Sequence, residues 1–195
     1  MSKSDPSAAK KERNKTIRWV VSIFLITILV SGTISFTSDL LMANSSMLVA
    51  FIILLAIILI GIIFDVIGVA VTSADEKPFH SMAARKVPGA QDAIKLLRNA
   101  ERVSSICNDV VGDICGVVSG SASATIAAQV LLHSGADASS AVPLIMSALV
   151  AGLTVGGKAI GKTFAMNSCT SIVHGVGKLV WAFHHLPQVM KKRKK

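Results

Sequence analysis

Residues 103–123 read VSSICNDVVGDICGVVSGSAS, an apolar stretch of small residues that carries two aspartates. No other segment restricts the fold as much. At about 100° per residue, Ser105, Asp109, Gly112, Asp113, Gly116, Gly120 and Ser123 fall along one line of a helix. Val103, Ile106, Val110, Ile114 and Val117 cover another side. A helix this apolar is read as a membrane span, and carboxylates inside a bilayer are costly. They are expected to face a partner, a cavity or an ion.

Other apolar runs carry the same message. The chain has 195 residues, of which 52% are hydrophobic, which suits one membrane domain and little else. Net charge is +9, but its placement says more than its size. Every Lys and Arg lies in residues 3–18, 77–102 or 158–195, and residues 37–46 and 133–141 hold none. By the positive-inside rule the head, the middle segment and the tail are cytoplasmic, and the two bare loops are outside. Polybasic ends beside spans suit anionic lipid of the inner leaflet, not nucleic acid. The three cysteines, Cys107, Cys115 and Cys169, form neither a disulfide framework nor a zinc spacing.

The sequence therefore predicts an all-α membrane protein with four transmembrane helices. Residues 1–16 are expected to be a disordered basic tail. Residues 17–36 form an additional first span, too long for a signal-peptide core and without a cleavage site after it. Residues 47–72 form the second span, ended by Pro78. Residues 89–102 form a cytoplasmic amphipathic helix at the membrane surface. The third and fourth spans cover residues 103–132 and 141–160. Residues 166–195 form an interfacial amphipathic segment, weakened as a helix by Gly175 and Gly177. It is anchored by Trp181 and closed by a polybasic tail.

Polar and small stripes recur on three of these spans. Gly61, Asp65, Gly68 and Thr72 share a line on the second. Ser147, Ala151, Thr154 and Lys158 share one on the fourth. Such stripes let helices approach closely in lipid, and they also let polar faces converge. At about 1.5 Å per residue, Asp109 lies roughly 9 Å and Asp113 roughly 15 Å into the third span. Lys158 falls near the depth of Asp109. The repeated spacing of Gly112, Gly116 and Gly120 predicts helix packing, within one chain or across a homodimer seam. A hard cation prefers carboxylate, hydroxyl and amide oxygens. Asp65, Asp109 and Asp113, with Ser73, Asn108, Ser104 and Ser105, supply that set. The competing reading is a static ion pair of one aspartate with Lys158.

Residues 156–163, GGKAIGKT, fit a phosphate-loop pattern. A span precedes them in place of a strand, so no nucleotide is expected. The histidines His80, His133, His174, His184 and His185 are scattered, and no set of residues for catalysis stands out, so no enzyme is expected.

The order of features resembles a known family. S-A-D-E at residues 73–76 follows a span. A short basic connection leads to Gly89-Ala90, and then comes KLLRNAERVSSICNDVVGDICGVVSG. Over residues 60–165 this resembles the membrane domain of the CNNM/CorB/CorC proteins. That domain has a Ser-x-x-Glu break after its first span, an Asn-rich second span and a Gly-Glu-Ile-x-Pro-Lys motif ending its third. Ser73, Glu76, Asn108 and Asp109 match family positions. Gly157-Lys158-Ala159-Ile160-Gly161-Lys162 stands at the third motif, with lysine for glutamate and glycine for proline. Residues 166–195 show no sign of the regulatory CBS pair that usually follows this domain, and an additional span is expected before the core.

The resemblance implies transport of a divalent metal cation, Mg²⁺ above all, across the plasma membrane, with Na⁺ as the coupling ion and a homodimer as the working unit. In that reading Asp65, Ser73, Asn108, Asp109 and Asp113 hold the metal, with Glu76, Lys158, Ser104 and Ser105 in support. The alternative is a non-transporting membrane adaptor or regulatory scaffold on the same fold.

Overall fold

The computed structural model describes residues 6–43, 45–134 and 141–192, and every regular element among them is helical. Four long helices set the frame. They are α1 (Pro6–Ala43), α2 (Met47–Ser73), the rod Ala100–Ser134, and α7 (Ala141–Asn167). The rod is built of α5 (Ala100–Ser105), a π-helix (Ile106–Gly112) and α6 (Asp113–Ser134). Each of the four contains a stretch long and apolar enough to cross a membrane. Three further helices, α3 (Lys77–Ala84), α4 (Ala90–Arg98) and α8 (Cys169–Lys192), gather at one end.

Helix α2, the most apolar of the four, is the central post and touches α1, α5, the π-helix, α6, α7 and α8. Its buried positions Ala50, Leu54, Ile58, Gly61, Asp65, Gly68 and Val71 are separated by steps of three and four, one stripe of a helix. At one end of the stripe Ala50, Leu54 and Ile58 pack on Ala122, Ile126 and Val150. At the other, Ala70 and Val71 join Phe79, Ala93, Leu97, Ala165 and Val173. Asp65 interrupts the stripe between these two apolar cores. Helix α1 lies on the outside, with Ile23 against Val110, Ile114 and Val118. Many Ile, Leu and Phe side chains of α1, α2 and α7 stay exposed around the bundle.

Between apolar helices in lipid, hydrocarbon contact is matched by the lipid itself, so close backbone approach carries the packing. Gly61 lies under Cys115, where an added Cβ would come within 2.8 Å of the cysteine Cβ. Gly157 and Gly161 of α7 fit against Ile62 and Val66 of α2. The ridge expected at Gly112, Gly116 and Gly120 is packed within the chain only at Gly112. A Cβ added at Gly116 or Gly120 would meet nothing within 4 Å among the described residues, because both fall on the outer side of α6.

Three further expectations change. The basic tail is helical from Pro6 onward, with proline at the first position, where its missing N–H is no loss; residues 1–5 lie outside the described residues. The helix expected over residues 89–102 divides at Asn99 (φ −113°, ψ 26°). Its first part, α4, turns Ala93 and Leu97 into the protein core, and its second begins the rod. The final segment is one continuous helix through Gly175 and Gly177. Gly177 is required there, because a Cβ on it would stand 2.5 Å from the Gly89 carbonyl oxygen and 2.9 Å from the Ala93 side chain. The expected outer turn at residues 133–140 falls largely on residues outside the described ones, as do 193–195 of the polybasic tail.

Candidate functional site

The π-helix Ile106–Gly112 decides how the polar residues of the rod are shared out. A π segment holds more residues per turn than an α-helix, so side chains that share a line on an α wheel separate. Such segments are frequent at functional sites. Here Cys107, Val110 and Gly112 are buried, Asn108 is half-buried against α2, and Asp109 is turned out.

Asn108 lies on the α2 backbone at Gly68. Any side chain at that position would collide with its carboxamide, which contacts the space above the glycine through Oδ1, Cγ and Nδ2. Its Nδ2 donates to Ser104 Oγ at 3.2 Å. Its Oδ1 is buried and has no hydrogen-bond partner among the described residues. One turn back along α2, Asp65 is 4% exposed, and its Oδ2 likewise has no partner. A buried acceptor left unpaired costs about 1–3 kcal/mol, and more when charged. Two such oxygens therefore stand on the same α2–π-helix interface with no donor assigned to either.

Gly112 closes the other side of this interface. A Cβ there would lie 3.4 Å from Lys158 Nζ and 4.0 Å from Asp65 Oδ1. The absence of a side chain lets the ammonium and the carboxylate approach the rod from α7 and α2. Lys158 Nζ donates to the Gly112 carbonyl at 3.3 Å and stands 3.8 Å from Asp113 Oδ1. The lysine side chain is 20% exposed and that of Asp113 72% exposed. The ammonium thus sits at the rim, between an inner carboxylate and an outer one.

The remaining predicted residues are placed as follows. Asp109 accepts a hydrogen bond from the Ser105 hydroxyl at 2.8 Å and faces outward. Ser104 holds Asn108. Ser73 ends α2, eight residues and about 12 Å along the axis from Asp65, and is exposed. Glu76 is engaged elsewhere, with Oε2 3.2 Å from His80 Nε2 and 3.7 Å from Arg98 Nε. The geometry therefore brings together Asp65, Asn108, Ser104, Gly112, Lys158 and Asp113, and leaves Ser73, Glu76 and Asp109 off the inner side. Among the described residues no group of three or more His, Cys, Asp or Glu is arranged to hold a metal ion. A cation here would rest on one carboxylate plus neutral oxygens and water, a set Mg²⁺ accepts because it keeps much of its hydration.

Gly68 was legible as part of the α2 stripe, but its role as the seat of Asn108 was not. The π geometry has no local sequence signal. No protein-family model, curated protein or solved structure matches the chain.

Proposed function

We propose that this chain transports a cation, with Mg²⁺ as the leading candidate and Na⁺ as the coupling ion, through the polar interface between α2 and the π-helix. One observation carries the reading. Asp65 Oδ2 and Asn108 Oδ1 are both buried where α2 meets the π-helix, and among the described residues neither has a hydrogen-bond partner. Acceptors without donors are what a desolvated cation needs, and ionisable groups inside apolar helices commonly mark ion pathways. Lys158 at the rim is a tethered positive charge that any arriving ion must displace or repel. In this reading the four long helices span the plasma membrane with both termini in the cytoplasm, and anionic lipid surrounds the basic end. The outer side of α6, bearing Asp113, Gly116 and Gly120, meets a second copy of the chain.

The test is ²⁸Mg²⁺ or dye-reported Mg²⁺ flux in proteoliposomes with Asp65→Asn, which keeps the shape of the side chain and removes its charge. Flux should fall at least tenfold, and the rise in melting temperature given by Mg²⁺ should vanish, since a ligand that binds only the folded state stabilises it by mass action. Undiminished flux through Asp65→Asn would rule the site out.

A second reading is favoured by one contact. Lys158 already bonds to the Gly112 carbonyl and stands beside Asp113, so the cluster can serve as a static lock in a non-transporting adaptor. Lys158→Met separates the two. As a lock, the lysine is needed for stability whether or not metal is present. In a transporter, removing the tethered charge strengthens Mg²⁺ binding.

A further inference from the structure

At the end of the bundle where α3, α4 and α8 meet, a recess of about 380 Å³ is lined by Lys86, Gly89, Asp92, Lys95, Trp181 and His184 among others. We infer that this recess is a binding site for the headgroup of an anionic phospholipid, a phosphodiester with hydroxyl donors beside it. The inference rests on reading the four long helices as membrane spans, and it does not depend on what those spans carry.

The walls are fixed. Gly89 takes φ +84° and its backbone lies against Gly177 and Lys178 of α8. The His174 ring nitrogen Nε2 is 3.3 Å from the Pro88 carbonyl on the same seam. Lys86 holds a left-handed backbone, φ 57°, the one non-glycine residue with positive φ among those described. A lysine rarely adopts that conformation without a surrounding structure that enforces it. Here the turn is closed by Lys86 N–H donating to the Ala83 carbonyl at 2.9 Å and Val87 N–H to that of Met82 at 3.0 Å. Lys86 lines the recess, and among the described residues its ammonium has no ion-pair partner.

Charge identifies the ligand. Lys95 is bound to Asp92, Nζ to Oδ1, at 2.9 Å, and Asp92 is largely buried with its side chain 12% exposed. These two cancel, and the Lys86 ammonium leaves the recess with a positive charge. A phosphodiester carries one negative charge, whereas an inorganic phosphate or phosphomonoester carries nearly two. Asp92 retains acceptor capacity that a headgroup hydroxyl would fill, which matches a glycerol headgroup. Trp181 lines the recess, and indoles settle at the headgroup level of a bilayer.

Native mass spectrometry of the full chain in detergent, with equimolar phosphatidylglycerol and phosphatidylcholine, tests this. The wild type should retain phosphatidylglycerol at least fivefold over phosphatidylcholine. Lys86→Gln should cut that preference about threefold or more, while Lys178→Gln, an exposed charge on α8 outside the recess, should leave it intact. Soluble glycerophosphoglycerol should compete weakly and inorganic phosphate not at all. Equal retention of the two lipids, or equal loss from Lys86→Gln and Lys178→Gln, overturns the assignment; so does competition by inorganic phosphate. Should Lys86→Gln fold poorly, His184→Ala, whose ring is exposed, reads the same preference and should reduce it. Mg²⁺ flux through Lys86→Gln should stay at the wild-type level, so failure here is distinguishable from failure of the transport reading.

Discussion

Helix α2 and the outer side of α6 carry the same kind of sequence, an aspartate flanked by glycines at helical spacing, and the fold treats them in opposite ways. On α2, Gly61 and Gly68 are filled by Cys115 and Asn108, and Asp65 between them is sealed from its surroundings. On α6, Gly116 and Gly120 face open space and Asp113 is 72% exposed. A small-residue stripe thus specifies how near another surface can come, but not that a surface is there. What separates the two is position in the bundle: α2 is surrounded by neighbours, whereas α6 is covered by α1, α2 and α7 but left bare at Gly116 and Gly120.

The sharpest way to break this comparison is Gly68→Val. The new side chain has only the space of the Asn108 carboxamide to enter, and overpacking that displaces it costs about 1–3 kcal/mol. Thermal unfolding in detergent should show a clearly larger loss than for the same substitution at Gly116 or Gly120. A melting temperature unchanged from wild type would mean that Asn108 does not sit where described.

Much of this was readable in advance. Runs of Ile, Leu and Val fix where the four long helices lie, because nothing else in the chain could bury them. The α2 stripe through Gly61, Asp65 and Gly68 follows from counting by threes and fours. The partition of Asn108 inward and Asp109 outward was not readable, because a wheel of constant 100° steps has no place for a π segment. The seat of Gly177 was missed for a related reason. In local terms glycine weakens a helix, and only the approach of Gly89 from another helix makes it necessary. Glu76, expected to support a metal, instead pairs with Arg98 and His80.

Helix α8 repeats the contrast at smaller amplitude within three residues. Gly177→Ala should destabilise the fold by about 1–3 kcal/mol, because its Cβ meets the Gly89 carbonyl oxygen and Ala93. Gly175→Ala, where nothing lies within 4 Å, should stabilise it by up to about 1 kcal/mol through helix propensity alone. Chemical denaturation of the two variants side by side checks the sign of each. Matching signs would remove the distinction between filled and open glycines.

The smallest effect is expected where the surface is bare. Gly116→Ala and Gly120→Ala should cause no loss of single-chain stability, with at most the helix-propensity gain of Gly175→Ala. If a second copy uses this side, the same variants should weaken self-association, read by single-molecule photobleaching of labelled protein in dilute lipid. Loss of single-chain stability would instead show that the side is already covered.

The π-helix sits at the joint of one long rod, below a span-length α6 and above the short α5. It stores one residue beyond what α-helical winding from Ala100 to Ser134 would use. Were that surplus handed along the rod, everything beyond it would swivel by about 100° and advance about 1.5 Å. The rod is therefore a crankshaft with its slack already wound in. A small slip near Asn108 would swing Asp113 away from Lys158 and bring a different side of α6 round to α2, with no helix having to tilt.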